Sequence, residues 1–142
     1  ELENDGFIGL LKEFDKPILG ICLGMQILAE LGFEFGKTRG LGLLNAEVKP
    51  ILCDAKIPHM GFNKIQVINS NKVMKGVEVE EFYFMHSYEV VNYTDIVALT
   101  KYGNHSFVSA IHKGNLYGVQ FHPEKSRQAG IRLLSNFIQL KG

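Results

Sequence analysis

The sequence has no excess of charge of either sign, and it has few cysteines. Fifteen Lys and Arg side chains balance fifteen Asp and Glu side chains, so nothing favours binding to nucleic acid or to an anionic membrane. The apolar runs are far too short to cross a bilayer. Cys22 and Cys53 form neither a C-x-x-C motif nor a histidine-paired metal spacing. We therefore expect a cytoplasmic protein that holds no metal ion and uses no cofactor.

The predicted elements are those of an α/β protein, and 142 residues that are 46% hydrophobic predict one domain with a sizeable core. An apolar stripe predicts a helix over residues 2–14, and glycines make residues 32–42 a loop. Strands are predicted over residues 46–52, 64–68, 82–91, 96–100, 107–111 and 116–121. A last helix follows, with Ser126 as its cap and four side chains on its buried face, Ile131, Leu134, Phe137 and Ile138.

A cysteine lies at the junction of a predicted strand and a predicted helix. The strand covers residues 18–21, the helix covers residues 25–31, and Cys22 stands between two glycines. This Gly-x-Cys-x-Gly pattern is typical of a nucleophile elbow, in which the central side chain projects from the sheet edge. A thiol at a helix N-terminus also has its thiolate favoured. The alternative is a buried structural cysteine, as we expect for Cys53, which has no such elbow.

A histidine and a glutamate follow the last predicted strand. Pro123 ends regular strand pairing and biases His122 towards an extended backbone. Glu124 is close enough in sequence to orient that imidazole and to support its charged form. Alone, each would be interpreted as a surface residue. Together with Cys22 they predict a Cys-His-Glu catalytic triad.

These motifs resemble those of class I glutamine amidotransferases. Within that class the chain resembles the glutaminase subunit of imidazole glycerol phosphate synthase. The class resemblance rests on residues 20–26 and 118–124. The subunit resemblance rests on further segments in the family's order, residues 40–44, 58–63, 83–88 and 125–126. Phe62 departs from the family, which usually has tryptophan there.

The resemblance implies a three-layer α/β/α, flavodoxin-like fold around a mixed sheet. Family members usually have further strands upstream, with a Pro-Gly-Val-Gly-type loop that these residues do not contain. An open sheet without those strands would expose apolar surface. We therefore expect residues 1–142 to be a single amidotransferase domain that is incomplete at its N-terminus.

The resemblance also implies the reaction. The Cys22 thiolate would attack the side-chain amide of glutamine, and His122 would pass a proton to the leaving nitrogen. Ammonia would depart, and water would then resolve the γ-glutamyl thioester to glutamate. The backbone N–H of Leu23 is expected to be one oxyanion donor, while the family's second donor comes from the Pro-Gly-Val-Gly loop.

Four further residues are assigned to the glutamine substrate by the resemblance alone. Glu34 would meet its α-ammonium group, backbone groups of Ser87 and Tyr88 would meet its carboxylate, and Gln26 would contact it as well. Structural alternatives stand beside these roles: Gln26 as a helix cap, Glu34 as a solvated loop charge, and Tyr88 as a core residue. His86 is expected to pack behind the residues that line the glutamine pocket and to support them.

The resemblance implies a heterodimer with a cyclase or synthase subunit that uses the ammonia. The polar loop expected after Pro58, which includes His59, would lie at that interface. The interface residues would be Met60, Gly61, Phe62, Asn63 and Lys125. Imidazole glycerol phosphate formation in histidine biosynthesis is the expected purpose. Two alternatives remain: a paralogous subunit that serves sugar amination for a surface polysaccharide, and a non-catalytic docking fragment.

Overall fold

A computed structural model describes residues 13–32, 38–39 and 44–140. The strands of these ranges are β1 (Ile18–Ile21), β2 (Ala29–Gly32), β3 (Thr38–Arg39), β4 (Leu44–Pro50), β5 (His59–Lys64), β6 (Gln66–Val67), β7 (Glu81–His86), β8 (Tyr88–Val91), β9 (Ile96–Tyr102), β10 (His105–Lys113) and β11 (Leu116–Val119). The helices are α1 (Leu23–Ile27), a 3₁₀ turn (Pro123–Lys125) and α2 (Arg127–Ile138). Neither α-helix of the described ranges is long and apolar enough to span a membrane.

Three sheets organise the described residues. The largest has the strand order β1-β11-β10-β9-β6, in which β1 runs parallel to β11 and the other pairs are antiparallel. A second sheet has the order β3-β2-β4-β8, and β5 pairs with β7 in a third. The predicted α/β fold with parallel and antiparallel pairing is confirmed.

The core lies on both sides of the main sheet. One cluster is rich in aromatic side chains, and Phe82, Phe84, Phe107 and Phe121 are almost completely buried in it together with Leu133 of α2. The other cluster joins α1 to the second sheet, through residues that include Met25, Leu28, Val48 and Val90. Each fully buried Phe or Leu contributes about 1.5–3 kcal/mol, so this packing holds β1 and β11 in place.

The helix predicted over residues 25–31 is wrong in its extent. Helix α1 ends at Ile27, and the chain then forms β2, which runs parallel to β4. A short apolar run suits either a buried helix or a buried strand, and here the partners available to the backbone decide the outcome. The loop predicted over residues 32–42 contains β3, whereas residues 33–37 and 40–43 lie outside the described residues. The helix predicted over residues 2–14 lies almost entirely outside them.

The single strand predicted over residues 82–91 is two strands. Ser87 separates β7 from β8, because β7 pairs with β5 while β8 pairs with β4 of a different sheet. The loop predicted after Pro58 is also wrong, since residues 59–64 form strand β5. The strand predicted over residues 64–68 is reduced to β6, which pairs with β9.

The buried face of α2 differs from the prediction. Ile131 and Ile138 are 61% and 79% exposed, whereas Gly130 and Leu133 are buried. Phe137 does pack against the core. The reason lies at Gly130, where a Cβ atom would stand 1.8 Å from the Pro123 carbonyl oxygen. This close approach rotates the helix so that its glycine faces the 3₁₀ turn.

We expect Gly130→Ala to destabilise the protein by about 2 kcal/mol or more, although alanine favours a helix over glycine by about 1 kcal/mol. The added methyl group has to displace backbone rather than a mobile side chain. Urea unfolding measures the change. Gln128→Ala, at an exposed position of the same helix, should leave the midpoint nearly unchanged. Equal stability of Gly130→Ala and the parent would contradict the packing described.

Candidate active site

Cys22 lies at a strained bend between β1 and α1. Its backbone angles are φ 54° and ψ −106°, a region that residues other than glycine rarely occupy. Such a conformation costs on the order of 1–3 kcal/mol and persists where the surroundings enforce it. The Cys22 N–H donates to the Val119 carbonyl at 2.7 Å, and the Cys22 carbonyl accepts from the Gln26 N–H at 3.3 Å. The bend expected from the Gly-x-Cys-x-Gly pattern is therefore present.

The two glycines of this pattern are not equally constrained. A Cβ atom at Gly20 would stand 2.8 Å from the backbone carbonyl carbon and oxygen of Gly24, so only hydrogen fits there. A Cβ atom at Gly24 would meet nothing within 4 Å. The tight contact between β1 and α1 therefore depends on Gly20.

His122 and Glu124 form a hydrogen-bonded pair just after β11. The distance from His122 Nδ1 to Glu124 Oε2 is 2.8 Å. A carboxylate only accepts, so Nδ1 carries the proton and Nε2 is the nitrogen that can take one up. The His122 side chain is 20% exposed and that of Glu124 is 48% exposed.

The register of two parallel strands brings the cysteine and this pair to one edge of the sheet. Ile21 pairs with Val119, so Cys22 and His122 both follow the carboxyl ends of neighbouring strands. This is the edge at which open α/β sheets bind their ligands.

The sequence matches the family model for class-I glutamine amidotransferases over residues 5–140. The chain belongs to this family. It is 45% identical to imidazole glycerol phosphate synthase subunit HisH 1 of Vibrio vulnificus, over 98% of this chain and 71% of that protein. It is 46% identical to subunit HisH of Aquifex aeolicus, over 88% of this chain and 61% of that protein.

Solved structures agree on the fold. The crystal structure of a glutamine amidotransferase from Thermotoga maritima superposes with a TM-score of 0.61 at 20% identity, over 97% of this chain and 56% of that one. The resemblance to class I amidotransferases, and to the glutaminase subunit within them, is confirmed.

One hydroxyl group of this amidotransferase ties the His122 turn to β7. Ser126 Oγ donates to the His122 carbonyl at 2.5 Å and accepts from the Tyr83 N–H at 2.9 Å. The His122 N–H donates in turn to the Tyr83 carbonyl at 2.8 Å. Ser126 occupies the predicted N-cap position of α2, but its side chain makes no capping bond to that helix. Its role is to fix the backbone that presents His122.

The residues predicted to hold glutamine are placed as follows. Leu23 opens α1 and is exposed, and Ser87 and Tyr88 lie where the chain passes from β7 to β8. The Ser87 carbonyl accepts from the Ile51 N–H, and the Gln26 side chain donates to the Tyr88 carbonyl at 3.2 Å. Glu34 lies outside the described residues. All five roles stay predictions.

Of the predicted interface residues, Met60 and Phe62 lie on one exposed side of the β5–β7 pair, which we call the β5–β7 face. Asn63 lies on the opposite side of β5, where its amide contacts His59. Met60 pairs with Met85, and Phe62 pairs with Tyr83. Met60 is 58% exposed. Two cations border this face: the Arg127 guanidinium lies 4.3 Å from the Phe62 ring centroid, and Lys125 Nζ lies 5.9 Å from that of Tyr83. The face adjoins the predicted nucleophile, because Cys22 Sγ is 3.7 Å from the Met85 carbonyl oxygen.

Two buried histidines lie behind this face. His59, expected in an interface loop, is 3% exposed, and its Nδ1 is 3.0 Å from His86 Nε2. His86 Nδ1 is 2.9 Å from the Tyr88 carbonyl oxygen. Burial, and after it the charge of His86, lowers the pKa of His59 to about 4. Burial also lowers the pKa of His86 to about 4, against the opposing effect of its bond to Tyr88, and His122 adds to the lowering. Both imidazoles are therefore neutral near pH 7.

We expect Glu124→Gln to lower the turnover of glutamine about 10- to 100-fold, less than His122→Ala does. The amide keeps the shape but removes a charge-assisted hydrogen bond, which is worth about 1.5–3 kcal/mol. Steady-state glutaminase assays give both values. The control is Glu13→Gln, an exposed carboxylate before β1, which should have no effect. Unchanged turnover in Glu124→Gln would remove Glu124 from the triad.

Proposed function

We propose that this chain is a glutaminase subunit that converts glutamine and water to glutamate and ammonia. It supplies the ammonia to the partner subunit of imidazole glycerol phosphate synthase in histidine biosynthesis. The β1–β11 register supports the proposal, because the strained Cys22 bend and the His122–Glu124 pair both follow the carboxyl ends of these neighbouring strands. The two curated relatives, which carry the name of that synthase's subunit at 45% and 46% identity, support the choice of synthase.

The reaction follows from these residues. Cys22 Sγ attacks the amide carbon of glutamine, and the Leu23 N–H at the start of α1 stabilises the oxyanion. His122 Nε2 takes up the proton of the Cys22 thiol and then delivers it to the leaving nitrogen, so that the C–N bond breaks and ammonia departs. His122 then takes a proton from water as it attacks the thioester, which releases glutamate and restores the thiol. Glu124 keeps the ring in one orientation throughout.

The β5–β7 face is the proposed contact with the synthase subunit in a heterodimer. Its exposed Met60 and Phe62 supply apolar area, and its bordering Lys125 and Arg127 suit carboxylates on the partner. Because it adjoins Cys22, ammonia released there has a short path to the partner. We place the complex in the cytoplasm, where Cys22 and Cys53, both free thiols, stay reduced. We treat residues 1–142 as one amidotransferase domain.

A paralogous subunit that feeds a different synthase is the second candidate. Phe62 supports it, because the residue that departs from the family pattern is exposed on the proposed contact face. The two candidates differ in which synthase raises the glutaminase rate. A non-catalytic docking fragment predicts no hydrolysis with either synthase.

The test is glutamine hydrolysis by the full-length subunit with and without imidazole glycerol phosphate synthase and its ligand. We expect the synthase to raise the rate more than tenfold, which is about 1.4 kcal/mol of barrier. Asn63→Ala and Lys125→Ala should reduce this rise without preventing complex formation. Lys75→Ala, at an exposed position near α2, is the matched control. Full activity of the isolated subunit, unchanged by the synthase, would contradict the coupling.

A further inference from the structure

Gln120 is a buried polar residue to which neither the sequence motifs nor the proposed reaction assigns a role. It follows Val119 and precedes Phe121, and it has no exposed surface. Its Nε2 atom is 3.5 Å from Cys22 Sγ, and its Oε1 atom accepts from Gln26 Nε2 at 3.0 Å. A buried amide without partners is costly, so these contacts are what allow a glutamine at this position.

The orientation of the Gln120 amide is determined by its neighbours. The Tyr88 carbonyl only accepts, so Gln26 has to direct its NH₂ group towards it. That same NH₂ group faces Gln120, which therefore presents its oxygen to Gln26 and its own NH₂ group to Cys22. The amide cannot be reversed without setting two donors against each other. The contact with sulfur is thus an N–H donor directed at the nucleophile.

This donor acts on the charged form of the sulfur. Cys22 Sγ also lies 3.7 Å from the Met85 carbonyl oxygen, to which the thiol can donate but which repels a thiolate. A hydrogen bond from Gln120 offsets that repulsion, because donors stabilise an anionic acceptor more than a neutral one. A core-filling role alone would be met equally well by methionine or leucine.

We propose that Gln120 is a further catalytic residue, which donates a hydrogen bond to Cys22 Sγ and stabilises the thiolate that attacks glutamine. The inference rests on the proposed glutaminase function for its purpose, but the contact itself can be tested without substrate.

A chain of hydrogen bonds extends from this donor to Asn63 of strand β5. The Tyr88 carbonyl accepts from both Gln26 and His86 Nδ1, and His86 Nε2 then accepts from His59 Nδ1. His59 Nε2 is left as the acceptor of the Asn63 side-chain amide at 3.2 Å. Each imidazole is thereby fixed in one neutral tautomer. His86 and His59 are positioning residues that act on Cys22 through Gln26 and Gln120.

The test is the pH dependence of Cys22 alkylation by iodoacetamide in the full-length subunit. Cys53→Ser serves as the parent, so that Cys22 is the thiol followed by mass spectrometry. Gln120→Met, close in size and without a donor, should move the midpoint of the profile upward by about one pH unit, which makes alkylation near pH 7 about tenfold slower. It should also lower kcat for glutamine by about the same factor and leave KM unchanged.

Gln120→Glu provides a second variant that keeps the shape of the side chain. Its carboxylate oxygen faces the sulfur, so it should move the midpoint upward at least as far as methionine does. Neither variant changes the other titratable groups near Cys22, so a shift of the midpoint can be attributed to position 120. These groups are Tyr117, Glu81, Tyr83, His86, His122, Glu124 and Lys125. A midpoint equal to the parent's in either folded variant overturns the proposal. Failure of the glutaminase function itself would instead show as absent hydrolysis in the parent, whatever the alkylation profile.

Discussion

Cys22→Ser should abolish glutamine hydrolysis, with turnover at least about 10³-fold lower, or about 4 kcal/mol of barrier. A serine hydroxyl is not ionised near pH 7, and the elbow environment that favours a thiolate does not lower the pKa of a hydroxyl enough to ionise it. The variant should keep its stability, because one atom changes at a bend that is held by backbone hydrogen bonds. Binding to the synthase should also be unchanged.

The control is Cys53→Ser. Cys53 is half-buried and its thiol contacts only a local carbonyl, that of Ala55, among the contacts described, so this variant should keep full activity. Ammonium salts should restore product formation by the complex of the Cys22→Ser subunit with the synthase, since the partner is intact. Hydrolysis within tenfold of the parent in Cys22→Ser would rule out thioester chemistry.

The second large effect is a loss of stability in mild acid. His59 and His86 have pKa values of about 4 in the folded protein, against about 6.5 in an unfolded chain. Between pH 6.5 and 4 the unfolded state therefore binds more protons, so the free energy of unfolding falls as the pH falls. The loss is roughly 3 kcal/mol for each imidazole, at 1.36 kcal/mol for each pKa unit. Above pH 6.5 this stability is fully present.

Urea unfolding at a series of pH values measures this dependence. His59→Gln removes one of the two imidazoles and should roughly halve the slope between pH 6.5 and 4. His112→Gln, a histidine of β10 outside this pair, should keep the slope of the parent. Glu89, whose pKa is raised by burial against the opposing effect of its bond to His105, acts in the other direction and is unchanged in both variants. An unaltered slope in His59→Gln would show that the buried pair is not its source.

The local chemistry of the site was predictable because it depends on short motifs. The Cys22 bend follows from a glycine at position 20 and an apolar strand before it, and the His122–Glu124 contact follows from a proline that stops β11. Gln120 was not predicted. A polar residue between Val119 and Phe121 in an otherwise apolar strand was the available signal, but only the fold shows that it faces Cys22 rather than another buried partner.

The sequence alone did not predict which distant segments pair with each other. Residues 82–91 have uniform strand character, yet Ser87 divides them because their two halves find partners in different sheets. Helix α2 could bury either of two adjacent faces, and the contact of Gly130 with the Pro123 carbonyl selects the one with fewer large side chains. The segment after Pro58 was predicted to be a loop because it is polar and contains Gly61. In the structure it is a strand, and its polar side chains bond to groups of other segments, as Asn63 does to the Lys101 carbonyl.

The separation of the site's two halves along the chain has a consequence for biosynthesis. Cys22 and Gln120 are 98 positions apart, and a ribosome adds about 5–20 residues each second. Cys22 is therefore synthesised about 5–20 s before the segment that carries Gln120 and His122. β1 can pair with β11 only after β11 has been synthesised, so this long-range contact forms after that delay. If the proposed triad is correct, a nascent chain cannot hydrolyse glutamine until β11 has paired with β1.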